Sequence, residues 1–187
     1  RVAAGGCAEL YGLKPDIVTY GKALGGGVPM AAIGGSNEIM SGLEWGKVLH
    51  FGTHNAGRLA LHICKTMLTT MLSDNQAGFV KIKDLGIKLT EEIQSISKKN
   101  NKNKMICQGV NSMFQIFFTD QEKICNYRDF CRSVDRIKFR NFALKLFDKG
   151  IYMNPSATLH SLSSIIHTEK DIEVTARAIA ETLDEMP

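Results

Sequence analysis

One lysine, Lys22, stands between a short apolar run, Asp16-Ile17-Val18-Thr19-Tyr20, and the triplet Gly25-Gly26-Gly27, and no further charged residue follows until Glu38. A lysine in so apolar a stretch is expected to be partly desolvated, and desolvation favours the neutral amine. A neutral amine attacks carbonyl carbons, so the chemistry on offer is Schiff-base formation. The glycines would let the backbone pass close to a flat ligand. The same residues also fit a surface lysine in a flexible loop, and spacing alone does not separate the two readings.

Other chemistries fail on particular positions. A phosphate-binding Walker loop needs Ser or Thr after Gly21-Lys22, where Ala23 stands, and a leading Gly where Asp16 stands. The dinucleotide pattern G-x-G-x-x-G, started at Gly25, meets Met30 in place of its third glycine. His50 and His54 are four apart, but Phe51 replaces the Glu of a zincin pair and Gly52 interrupts a helix there, so no metal site is expected. His167 is assigned a local structural hydrogen bond. Cys125 and Cys131 have neither a base nor a second pair beside them and read as ordinary thiols.

The elements that must position these residues fall into two styles. Eleven glycines from Gly5 to Gly46 make the first third a run of turns and close approaches, with buried strands expected at Asp16–Tyr20 and Met30–Gly34. From Ala56 a helix with Ala60, Cys64, Met67, Leu68, Met71 and Leu72 on its buried face runs to a turn at Ser73-Asp74-Asn75. A second helix, from about Gly78 to Lys99, carries Ile82, Leu85, Leu89, Ile93 and Ile96 on one stripe and has the length of a connector. The stretch Lys98 to Lys104 reads as a solvated loop. Strands are expected at Met105–Gly109 and Met113–Thr119, the latter with Phe114, Ile116 and Phe118 on one side. A helix over Asp135–Asp148 turns Phe139, Phe142, Ala143, Leu146 and Phe147 inward and is capped by Gly150. Ile151-Tyr152-Met153 reads as a short strand. The last helix opens on the capping pair Thr168 and Asp171 and buries Ile172, Ala176, Ile179 and Leu183.

With 187 residues, 44% hydrophobic and 22% charged, the chain has the composition of an ordinary globular protein with a sizeable core. Its net charge of +4 is spread along the chain, and the Lys98–Lys104 stretch has no interleaved aromatics on which bases could stack, so nucleic acid is not an expected partner. The uncharged stretches Ala23–Asn37 and Met105–Thr119 fall short of the roughly 20 apolar residues that a membrane span needs. No membrane or signal segment is read, and five cysteines without a C-x-x-C pair suggest a reducing compartment, hence a cytoplasmic location.

The string from Asp16 to Pro29, followed by Gly34-Gly35, resembles the cofactor-lysine segment of the class III aminotransferases, pyridoxal-phosphate enzymes of fold type I. Gly52-Thr53, 31 positions beyond Lys22, is similar to that family's Gly-Thr element. Ser112–Thr119, Lys149-Gly150-Ile151-Tyr152, Pro155-Ser156 and His167–Ile172 resemble its C-terminal half, nearest to the glutamate-1-semialdehyde aminomutase branch. The resemblance implies an α/β fold. Residues 1–79 would be the C-terminal portion of the large pyridoxal-phosphate-binding domain, and 80–187 the connecting helix and small C-terminal α+β domain. It implies pyridoxal 5'-phosphate held as a Schiff base on Lys22, which then shuttles a proton, with Gly52 and Thr53 binding the cofactor phosphate, commonly across a dimer interface. His54 and Arg58 are the candidates for substrate contact, the latter also readable as a solvated helix-start arginine.

Two departures qualify the match. Ala56-Gly57-Arg58 stands where the family has Gly-Asn-Pro, and Leu159 stands where the aminomutase branch has a glutamate. The second favours amino transfer to a carbonyl acceptor over the aminomutase reaction of tetrapyrrole precursor synthesis, which remains the alternative, as does a truncated non-catalytic relative or partner subunit. The family's phosphate loop, stacking aromatic ring and pyridine-binding aspartate all precede the position matching Arg1. The isolated chain is therefore expected to be inactive, and to work as a homodimer or paired with the missing N-terminal half, on a small amino acid or amino aldehyde.

Overall fold

The computed structural model describes residues 1–44 and 47–187. Gly46, counted above with the glycine-rich third, lies outside the described residues. The chain forms two compact units, one of Arg1 and Ala3–Phe79, the other of Val2 and Val80–Pro187.

The first unit opens with α1 (Gly6–Leu10), β1 (Ile17–Tyr20), a 3₁₀ turn over Lys22–Gly25, β2 (Ala32–Gly35) and α2 (Asn37–Met40). The strands pair antiparallel, with Ile17 opposite Gly35 and Tyr20 opposite Ala32. The expected burial of β1 is not found: Ile17 is 55% exposed and Tyr20 is exposed too, as side chains of a sheet are unless a helix or second sheet lies across its face. α3 (Arg58–Lys99) is a helical run broken at Ser73–Gln76, where Asp74, Asn75 and Gln76 all take left-handed φ values of +49° to +65°. Its first part, 58–72, starts two residues later than expected. Ala56 at φ +54° and Gly57 precede it, and a left-handed residue cannot continue a right-handed helix. Cys64 alone of its expected stripe is fully buried; Ala60, Met67, Leu68 and Met71 are half-buried and Leu72 is exposed.

The second unit contains the rest of α3, then β3 (Met105–Val110), β4 (Met113–Phe118), α4 (Tyr127–Ser133), α5 (Arg136–Asp148), β5 (Ser161–Leu162) and α6 (Glu169–Glu185). β3 and β4 form a hairpin with Gly109 opposite Phe114, and β5 joins the far side of β4. Alternation along β4 buries Phe114, Ile116 and Phe118 against α3, α5 and α6, where Leu89, Ile93, Phe139, Phe142, Leu146, Ile172, Ile179 and Leu183 complete one core. α5 ends as a Schellman motif: Gly150 at φ +81° donates to Phe147 O and Ile151 donates to Leu146 O, each at 2.9 Å. α6 has the expected capping box, Thr168 and Asp171 each bonding the other's backbone N–H.

Three expectations are corrected here. Phe147 is 62% exposed, stacked edge-on against Tyr152, because it lies one residue beyond the inward stripe of α5. Ile151–Met153 belongs to no strand. The Lys98–Lys104 loop is anchored rather than freely solvated, since Asn103 is fully buried and donates to Leu183 O at 2.7 Å. α4 was not foreseen; its signal is Asn126, whose Oδ1 accepts from the N–H groups of Arg128 and Asp129.

Candidate functional site

Lys22 follows β1 by one residue and opens the 3₁₀ turn with φ +52°, a left-handed backbone that costs a non-glycine residue about 1 kcal/mol or more. Behind it Gly26 and Gly27 continue at φ +61° and +108°. Gly26 also needs to be glycine on space: a Cβ there would come within 3.1 Å of Met67, so the loop backbone is seated directly on α3. The expected desolvation of Lys22 is not met. Its side chain is exposed, and among the described residues it has neither an ion partner nor a hydrogen bond. What is strained is the backbone, and the amine is available to a ligand.

Gly52 and Thr53 lie in the turn that Asn55 closes by donating its N–H to Gly52 O at 3.0 Å. Both are exposed, and Arg58 is exposed at the first position of α3. His54 lies instead in a cleft of about 320 Å³ shared by the segment from Pro29 to Ile33 and the turn before α3. His50 and Asn55 line the same cleft, on an apolar floor that includes Met30, Ile33 and Leu61. Lys22, Gly52, Thr53 and Arg58 are not among its lining residues. His50 is the residue that sequence reasoning underrates: weighed there only as a metal ligand, it enters through its spacing from His54. Among the described residues no group of three His, Cys, Asp or Glu side chains is placed to hold a metal ion. His167 accepts a hydrogen bond at Nδ1 from Ser164 N–H at 3.2 Å, the local role expected for it. No described helix is long and apolar enough to cross a membrane.

Comparison with known proteins follows the same lines. The family described as aminotransferase class-III matches residues 3–186, and the chain belongs to that family. The glutamate-1-semialdehyde 2,1-aminomutase of Clostridium kluyveri is 36% identical over 180 residues, 96% of this chain and 42% of that protein. An omega-transaminase from Sphaerobacter thermophilus superposes with a TM-score of 0.83 at 22% identity, over 97% of this chain and 41% of the other. A glutamate-1-semialdehyde aminomutase from Pseudomonas aeruginosa, solved with PMP, superposes with a TM-score of 0.78 at 18% identity, over all of this chain and 42% of that one. The fold is that of these enzymes, and the chain spans about two fifths of the length of the curated relatives it matches.

Proposed function

We propose that the chain carries the lysine-bearing part of a pyridoxal-phosphate-dependent enzyme that transfers an amino group to a carbonyl acceptor, with Lys22 holding the cofactor. The observation that carries this reading is the left-handed backbone of Lys22 between β1 and a glycine loop packed on α3, with an amine that no other described group engages. A strained non-glycine residue at such a position is a recurrent mark of a functional site. Bound pyridoxal phosphate supplies an electron sink for electrons released at the substrate α-carbon. Lys22 supplies the nucleophilic Nζ that holds it and, once displaced by the substrate amine, a base at the same atom to carry the α-proton.

The donor set fits the group. A doubly charged phosphate needs hydroxyl and N–H donors and no competing carboxylate, and the 29 residues between Glu44 and Asp74, which include Gly52 and Thr53, hold no Asp or Glu. Thr53 and Gly52 are the proposed phosphate ligands. The site is proposed to be completed by a second copy, as a homodimer, or by a further segment, as the resemblance to the family implies. The substrate is proposed to be a small amino acid or amino aldehyde. A second reading, transfer within one amino aldehyde, is favoured by the 36% identity to a glutamate-1-semialdehyde 2,1-aminomutase and weakened by Leu159 at the position of that branch's glutamate.

The test is an absorbance spectrum of the chain with added pyridoxal phosphate, then borohydride reduction and peptide mapping. The expected result is a visible band and a label confined to Lys22, both lost in Lys22→Ala. Label scattered over surface lysines would overturn the assignment. The 187-residue chain alone is not expected to turn over, and transamination by it would refute that part of the proposal.

A further inference from the structure

We propose that the cleft lined by His50, His54 and Asn55 is a carboxylate-recognition site. Three observations carry this. The cleft, open to solvent on one side, holds about 320 Å³, enough for a small organic acid, and is lined by the apolar Met30, Ile33 and Leu61 with a few polar groups beside them. Those polar groups are two imidazoles and an amide, with no carboxylate and no Lys or Arg among the lining residues. The surrounding chain is also free of acids: from Glu44 to Asp74 every titratable side chain other than Cys64 is basic, namely Lys47, His50, His54, Arg58, His62 and Lys65. Of these, Lys47 is paired with Glu44 at 3.7 Å and Arg58 begins α3 outside the cleft. An anion entering the cleft therefore meets donors and no opposing charge.

His50, His54 and Asn55 would donate to the carboxylate, while the apolar residues beside them take the carbon chain. The site itself rests on this geometry alone. Its assignment to the carboxylate of the amino substrate, as a specificity determinant that the family's Gly-Thr motif does not supply, rests on the amino-transfer reading above.

The experiment is a titration of the 187-residue chain with glutarate, followed by ring proton–carbon correlation spectra of its five histidines. His50 and His54 are expected to move together and to saturate, while His62, His160 and His167 stay in place. The neutral diamide glutaramide should leave all five unmoved. His54→Gln should lose most of the binding; should that variant misfold, the titration of the unsubstituted chain decides. Uniform movement of all five rings, no movement, or inorganic phosphate bound in preference to glutarate would each overturn the proposal. Because no cofactor is present, failure of Lys22 to take pyridoxal phosphate would leave this result standing, and the two failures are distinguishable.

Discussion

At the scale of single residues, the left-handed backbone positions separate function from tolerance. Lys22 at φ +52° has a proposed role that repays its strain, whereas Ala56 at φ +54° has none that the structure shows. The methyl group of Ala56 is what the left-handed backbone disfavours. Ala56→Gly is expected to stabilise the chain by about 1 kcal/mol, read as a raised midpoint in urea, with the neighbouring turn unchanged. Cysteine reactivity is the second residue-level expectation. Burial pushes the Cys107 thiol up to about 12, and Cys64 is buried too, whereas Cys7, Cys125 and Cys131 are exposed. Because the thiolate is the reactive species, iodoacetamide at neutral pH should label the three exposed cysteines and spare Cys107 and Cys64 until the chain is unfolded, as mass spectrometry of the peptides would show. Labelling of Cys107 in the native chain would contradict the packing of β3.

At the scale of elements, one demanding contact is hidden by composition. Gly86 sits in mid-helix, where glycine costs about 1 kcal/mol relative to alanine, yet a Cβ there would lie 2.3 Å from Asn111 O and 2.6 Å from Ser112 Cα. The helix 77–99 thus packs its backbone directly on the tip of the β3–β4 hairpin, where Asn111 takes φ +51°. Gly86→Ala, which would stabilise an isolated helix, is expected to destabilise this protein by about 2 kcal/mol, measured by urea unfolding. The start of α6 carries a pH dependence. The Thr168 hydroxyl and then its N–H, both donating to Asp171, hold that carboxyl below the usual carboxylate range. A carboxyl depressed in the folded state stabilises fully above its unfolded pKa and loses that contribution as the pH falls through the folded value. Asp171→Asn should therefore weaken the chain at neutral pH and flatten the acid limb of its stability profile, leaving the two proteins alike in strong acid.

At the scale of the whole molecule, the two units differ in what holds them. Apart from Cys64 and Val2, every fully buried apolar side chain among the described residues lies between Leu85 and Met186. The first unit by contrast leaves Leu49 and Phe51 80% exposed, with Leu59 and Ile33 also open to solvent. Hydrogen exchange on the 187-residue chain should accordingly protect β3, β4, α5 and α6 for longest and release β1 and β2 first; equal protection of both units would show that something covers the first. Much of this was legible in advance. The stripe Leu85-Leu89-Ile93, the alternation of Phe114, Ile116 and Phe118, the Thr168–Asp171 box and the glycine stop after α5 are local patterns whose period or cap chemistry needs no distant partner. The lysine between a strand and a glycine triplet was legible for the same reason. Burial was not: Ile17, Tyr20, Leu72 and Phe147 are apolar in sequence, but whether each is covered depends on which element lies opposite, and here each stays exposed. Nor was the neighbourhood of His50, because its cleft joins segments some 20 residues apart. The sequence by itself determined the family, the periodic elements and their caps, since these depend on residues three or four apart. The tertiary structure alone decided exposure, the seat of Gly86 on the hairpin and the company His54 keeps, since these depend on where the chain returns.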